Sequence, residues 1–154
     1  MKRKPIKIIT LAGCGVLVAG GCLFVALQFV PIGVSTTNPP VVAEPPWDSP
    51  ETRALAVRAC FDCHSNETVW PWYAYVAPVS WLVVHDTDEG RQHLNFSEWS
   101  AASTGGRENP ADEAGEKIAE GEMPPGNYLP LHPAAQLTDA EKQALIDGLA
   151  ASLR

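Results

Sequence analysis

Cys60-Phe61-Asp62-Cys63-His64-Ser65-Asn66-Glu67-Thr68-Val69-Trp70-Pro71-Trp72-Tyr73 is the stretch on which the reading of this 154-residue chain turns. Two cysteines three positions apart at a helix end point to nearly the same side. A histidine follows at once, and aromatic residues crowd behind it. Spacing of the form CxxCH is the signature of c-type haem attachment. Each thiol can add to one haem vinyl group as a thioether, and His64 can turn its imidazole to the iron. Its other ring nitrogen is then expected to donate to a backbone carbonyl, which fixes the ring.

Other uses of the cysteines fit less well. Structural zinc takes four ligands, and the remaining cysteines, Cys14 and Cys22, lie in a distant apolar segment. A redox dithiol of the thioredoxin kind belongs to a βαβ pattern, which is absent. A structural disulfide would leave His64 without a role.

A second axial ligand has four candidates: Met123, His85, His93 and His132. Met123 is preferred. It lies 59 residues after His64 in Gly121-Glu122-Met123-Pro124-Pro125, a loop stiffened by two prolines ahead of the last helix. A gap-filling core methionine is the plainer reading of the same residue. His85, four residues after Trp81, is the main rival, and His93 and His132 read as surface or loop histidines. Trp70, Trp72, Tyr73 and Trp81 are candidates to pack on the porphyrin, as is Tyr75. Each is equally well read as an ordinary core aromatic.

Outside the motif, four helices are expected. Ser49-Pro50-Glu51 reads as a helix start, leading through Leu55, Ala56 and Ala59 into Cys60. A second helix begins near Pro78, with Val79, Leu82 and Val83 on one face and Gly90 weakening its end. A third runs from about Pro110 to Glu120. A fourth opens at a Thr138/Glu141 capping box, with Ala144, Leu145, Leu149 and Leu153 on one side. No strand is expected.

The N-terminus is different. Lys2, Arg3, Lys4 and Lys7 form a basic head, and no charged residue occurs from Ile8 to Val30. Those 23 residues would make roughly 34 Å of helix, enough for a bilayer core of about 30 Å. A single transmembrane helix is therefore expected, with the basic head on the cytoplasmic side. Leu11-Ala12-Gly13-Cys14 also matches the pattern at which bacterial lipoproteins are lipidated, but the apolar run before it is short. Residues 31–50 hold six prolines and read as a semi-rigid linker. All 18 acidic residues, but only seven of the 11 Lys and Arg, lie beyond residue 30. So acidic a surface argues against nucleic acid and suits a basic partner protein.

Taken with CFDCHSNETVWPWY (60–73), the stretches APVSWLV (77–83), NFSEW (95–99), GEMPP (121–125) and LTDAE (137–141) carry a resemblance. The chain is similar to a family of small bacterial haem-binding-domain proteins that are cytochrome-c-like. The resemblance covers most of the chain beyond the anchor. It implies covalent haem on Cys60 and Cys63 with His64 as ligand, and little about partner or pathway.

The expectation is thus an all-α, cytochrome c-like helical domain around one covalent haem c, preceded by a single transmembrane helix. Residues 1–30 would be the anchor, 31–50 the proline-rich linker and 51–154 the haem domain. The chain would sit in a bacterial cytoplasmic membrane with its haem domain facing the periplasm or exterior. There it would pass single electrons to a redox partner protein with a basic docking face, as a carrier rather than an enzyme. A His64/Met123 pair would leave no open iron position. The alternative is a haem enzyme, peroxidase-like, or a gas or redox sensor, with an open or weakly held sixth position and His85 or Arg91 as distal groups. A third reading is a subunit of a larger membrane complex, for which Gly15 and Ala19 would permit close helix packing.

Overall fold

The computed structural model describes residues 6–30, 35–99 and 110–153. The basic residues Lys2, Arg3 and Lys4 and the start of the expected linker, 31–34, lie outside the described residues. Among those described are six α-helices and no strand: α1 (Ile6–Leu27), α2 (Pro50–Ala59), α3 (Phe61–His64), α4 (Val79–His93), α5 (Pro110–Glu120) and α6 (Asp139–Ser152). The chain divides into two compact units, one of residues 1–36 and 71–84, the other of residues 37–70 and 85–154.

In the first unit, α1 ends in a turn where Phe29 and Val30 donate to the carbonyls of Ala26 and Leu27. Gln28 then satisfies the backbone of Ala77 at both atoms: its Nε2 donates to the Ala77 oxygen and its Oε1 accepts from the Ala77 nitrogen, each at 3.0 Å. Among the described residues, no helix is long and apolar enough to cross a membrane. The expected transmembrane helix is therefore corrected, and with it the single-pass placement in a cytoplasmic membrane.

The second unit carries the main core. Ser49 caps α2, its hydroxyl accepting from the Thr52 nitrogen at 3.1 Å. Thr138 and Glu141 close the capping box at the start of α6. With their ends satisfied, these helices turn Leu55 and Ala56, and Leu145, Leu149 and Leu153, into one core with Ile118 of α5. Two glycines permit close packing: a Cβ on Gly148 would strike the Thr52 side chain where α2 meets α6, and one on Gly115 would touch Ile146 between α5 and α6. Phe61, the first residue of α3, stacks on Phe96 with centroids 5.6 Å apart, and Trp47 tilts onto Phe96 at 5.3 Å. Aromatic packing of this kind seats the CxxCH turn on the core.

The proline-rich segment after residue 36 packs within this unit. Val42 and Ala43 both donate to the Ser97 oxygen, at 2.8 and 3.1 Å, and Trp99 donates back to Ala43. Glu44 accepts from Arg53 Nε and Nη2, each at 2.7 Å, and from the Trp47 indole at 2.6 Å.

Helix α4 departs from the expected pattern. Val79 and Leu82 are exposed, and the buried positions are Ser80, Val84 and Thr87. Likewise Ala144 of α6 is exposed, while Leu145 is buried. Gly90 lies within the last turns of α4, which continues to His93.

Candidate functional site

Helix α2 does not run straight through the cysteines. Its last bond is from the Cys60 nitrogen to the Ala56 oxygen at 2.8 Å, and Cys60 then leaves helical geometry with φ −124° and ψ −34°. From there α3 starts afresh. The nitrogens of Cys63 and His64 both return to the Cys60 oxygen, at 3.1 and 2.9 Å. Cys60, Cys63 and His64 therefore belong to one tight turn, and both thiols are free. Ser65 closes the turn by donating to the Phe61 oxygen at 2.8 Å.

Burial pushes the Cys60 thiol up to about 12, with the neighbouring Cys63 adding to the effect. Burial, then the charges of Asp62 and Asp86, push Cys63 up to about 11. Both sulfurs are thus neutral thiols near pH 7. Among the described residues, moreover, no group of three or more His, Cys, Asp or Glu side chains is placed to hold a metal ion. The turn offers two neutral thiols to an electrophile and one imidazole.

The imidazole is fixed. His64 Nδ1 lies 3.0 Å from the Leu94 oxygen. A carbonyl only accepts, so Nδ1 carries the hydrogen and Nε2 keeps its lone pair. Burial lowers the pKa of the ring despite the opposing pull of the Leu94 and Gly90 carbonyls. The backbone doubles this link, because the Phe96 nitrogen donates to the His64 oxygen at 2.8 Å. Helix α4 approaches the turn closely at Gly90, where a Cβ would lie 2.5 Å from the Cys63 oxygen.

Between the cysteines, Asp62 is a junction. Its Oδ1 accepts from the Val69 nitrogen at 3.0 Å, its backbone oxygen accepts from the Thr68 hydroxyl at 2.8 Å, and its Oδ2 accepts from the Tyr128 hydroxyl at 2.6 Å. Tyr128 belongs to the loop that carries Met123. That loop leaves α5 through Gly121, whose φ of +76° is the left-handed geometry glycine supplies at a helix C-terminus. Glu122 and Met123 then both donate to the Lys117 oxygen, at 3.0 and 3.1 Å. The Met123 side chain is 37% exposed.

The aromatic candidates separate. Trp70 is held in a polar network: its Nε1 donates to Asn38 Oδ1 at 3.0 Å, and the Arg91 guanidinium lies 5.9 Å from its ring. Arg91 itself donates to the Ser65 oxygen, Asn38 and Thr68. Trp72, Tyr73 and Trp81 belong to the other compact unit. There Trp72 is 76% exposed and edge-on to Tyr73, while Trp81 lines a cavity of about 530 Å³ together with Leu27, Gln28, Tyr75 and Ser80. Of the histidines, His85 is exposed, its Nε2 3.5 Å from Glu89, and His93 is exposed. His132 stacks on the Tyr128 ring at 3.8 Å.

Gly90, Leu94, Asp62 and Tyr128 had no place in the sequence-based site. Leu94 acts through a backbone carbonyl, which no side chain advertises. Tyr128 left one trace, a hydroxyl-bearing aromatic in the same proline-rich loop as Met123.

No curated protein and no solved structure matches the chain. Residues 22–151 match the model of one protein family, described as the haem-binding domain. That span takes in the CxxCH turn, the fixed His64, α4 and the Met123 loop, and the chain belongs to the haem-binding domain family.

Proposed function

We propose that the chain is a mono-haem c-type cytochrome that carries single electrons. In this reading Cys60 and Cys63 hold one haem by thioether bonds, His64 ligates the iron through Nε2, and Met123 is the second axial ligand. The observation that carries it is His64: a half-buried imidazole whose Nδ1–H is committed to Leu94, directly beside two thiols on the same turn that form no disulfide. The donor set fits the group. Two thiols on one turn can each add S–H across a vinyl C=C bond, and a ring locked at Nδ1 presents only Nε2 to a metal. Haem held between a histidine and a methionine supplies one-electron chemistry at a raised potential.

The protein's own contribution is to fix the ligands. The turn is rigid because Phe61 is stacked into the core and Asp62 is bonded to Val69, so His64 has little freedom to follow a change in iron charge. The acidic balance beyond residue 30 supports a redox partner with a basic docking face.

The test is the chain co-expressed with a c-type maturation system, run on a denaturing gel and stained for haem. Haem should stay on the wild-type band and be lost when Cys60 and Cys63 are both replaced by alanine. Haem that acidic acetone extracts from the wild-type chain would overturn covalent attachment. A redox-titrated optical spectrum of the same material should show low-spin haem, and His64→Ala should abolish it.

A further inference from the structure

The loop bearing Met123 is fastened at two points. At its start, Gly121, Glu122 and Met123 close the end of α5 by backbone bonds to Ile118 and Lys117. At its far end, a turn from Pro125 brings the Tyr128 nitrogen to the Pro125 oxygen at 3.0 Å, and the Tyr128 hydroxyl reaches Asp62 at 2.6 Å. The first fastening is internal to the loop and its helix. The second reaches across 66 residues of sequence to a side chain lying between the two cysteines. Both partners of that bond are themselves braced. Asp62 is held by the Val69 nitrogen. Tyr128 is held face to face by the His132 ring, with an interplanar angle of 7°, while His132 Nδ1 donates to the Tyr128 oxygen at 3.1 Å.

We infer that Asp62 and Tyr128 are positioning residues: a latch that ties the Met123 loop to the CxxCH turn and so sets the strength of the Met123–iron bond. This rests on the assignment of Met123 as ligand. A phenol donating to a carboxylate is a short, charge-assisted bond, stronger than a neutral one. It is also the kind of bond that leaves the ligand in place when lost but lowers its effective local concentration, because the loop keeps its α5 fastening. The latch thus acts on how often the thioether leaves the metal, not on whether the loop exists.

The experiment uses the full, haem-loaded chain. Carbon monoxide binding to the reduced protein and the reduction potential are measured for wild type, Tyr128→Phe, Asp62→Asn, Met123→Ala and the Tyr128→Phe/Met123→Ala double variant. Tyr128→Phe keeps the ring and its stacking and removes only the hydroxyl. Its carbon monoxide binding should accelerate roughly tenfold or more, the scale set by loss of one bond to a charged group, with a lower potential and haem still attached. Asp62→Asn keeps a neutral link to Tyr128 and should fall between the two, which preserves the test should Tyr128→Phe fold poorly. In the Met123→Ala background, Tyr128→Phe should add nothing, since a latch for Met123 has nothing left to hold. The inference is overturned if Tyr128→Phe matches wild type in both readouts while Met123→Ala binds carbon monoxide readily. It is also overturned if Tyr128→Phe accelerates binding equally with and without Met123, for the bond is then only a general brace. If Met123→Ala itself leaves ligation unchanged, the assignment of Met123 has failed, and the latch falls with it.

Discussion

Gly90→Ala tests whether α4 is the floor of the CxxCH turn. On an exposed helix the change would stabilise, by about 1 kcal/mol, because alanine is the better helix former. Here the added Cβ would lie 2.5 Å from the Cys63 oxygen and 3.1 Å from both the Cys63 carbonyl carbon and Cβ. Two of those atoms are backbone, so no rotamer change relieves the contact. Overpacking of this kind costs roughly 1–3 kcal/mol, and a backbone obstacle belongs at the upper end. The net expectation is destabilisation by about 1–2 kcal/mol, or a melting point lower by on the order of 5–15 °C for a unit of this size. Gly115→Ala is the control, because its Cβ would meet only a side-chain atom, the Ile146 Cγ2 methyl, at 3.3 Å. Thermal and denaturant unfolding of the haem-loaded chain give the comparison. If Gly90→Ala is as stable as wild type or more so, α4 does not press on the turn as described, and the placement of Cys63 must owe its rigidity to something else.

Ser49→Ala removes the cap of α2 and should cost about 1 kcal/mol in denaturant unfolding. The Glu141 carboxyl is held down to about 2, first by the Thr138 backbone and then by Arg58. Its folded pKa is below its ordinary value of 4.5, so its contribution is complete above that pH and is lost as pH falls toward 2. In Glu141→Gln, unfolding midpoints should therefore depend less steeply on pH between about 5 and 3 than in wild type; parallel curves would refute the assignment. His85→Ala should leave the spectra of the oxidised and reduced protein unchanged, since the side chain is exposed beside Glu89. A lost low-spin signal in that variant would make His85 the axial partner of His64.

The helix starts were legible because capping is local chemistry. Ser49 and Thr138 can be read as caps within four residues, and both accept the expected backbone hydrogen. The inward face of α4 was not legible. Apolar periodicity placed Val79 and Leu82 inside, yet Ser80, Val84 and Thr87 are the buried positions. Near the turn, that helix must offer small and hydrogen-bonding residues, and Thr87 and Gly90 meet Cys63 there. Hydrophobicity is a poor guide where the constraint is close approach. The apolar run from Ile8 to Val30 misled in the opposite sense. A count of uncharged residues was read as a span, whereas among the described residues no helix is long and apolar enough to cross a membrane, and past the end of α1 Gln28 turns to the Ala77 backbone.

At the site the same division holds, and it has a physical cause. Cys60, Cys63 and His64 announce themselves because one helical turn fixes their spacing, so local sequence and local geometry coincide. What fixes the His64 ring is the Leu94 carbonyl thirty residues away, and what ties the Met123 loop to the turn is Tyr128 acting on Asp62. The first is a backbone group with no side-chain signature. The second needs a fold to bring residue 128 to residue 62 before either looks special. Asp62 occupies one of the two positions that the CxxCH spacing leaves unspecified, where the thioether chemistry places no demand on it. Its carboxylate nonetheless accepts from two places, the Val69 nitrogen just past the turn and the Tyr128 hydroxyl of the methionine loop. On the proposed His64/Met123 ligation, a residue that the attachment chemistry leaves free would couple the CxxCH turn to the methionine loop, and a shift in potential on losing the Tyr128 hydroxyl is the signature that such coupling predicts.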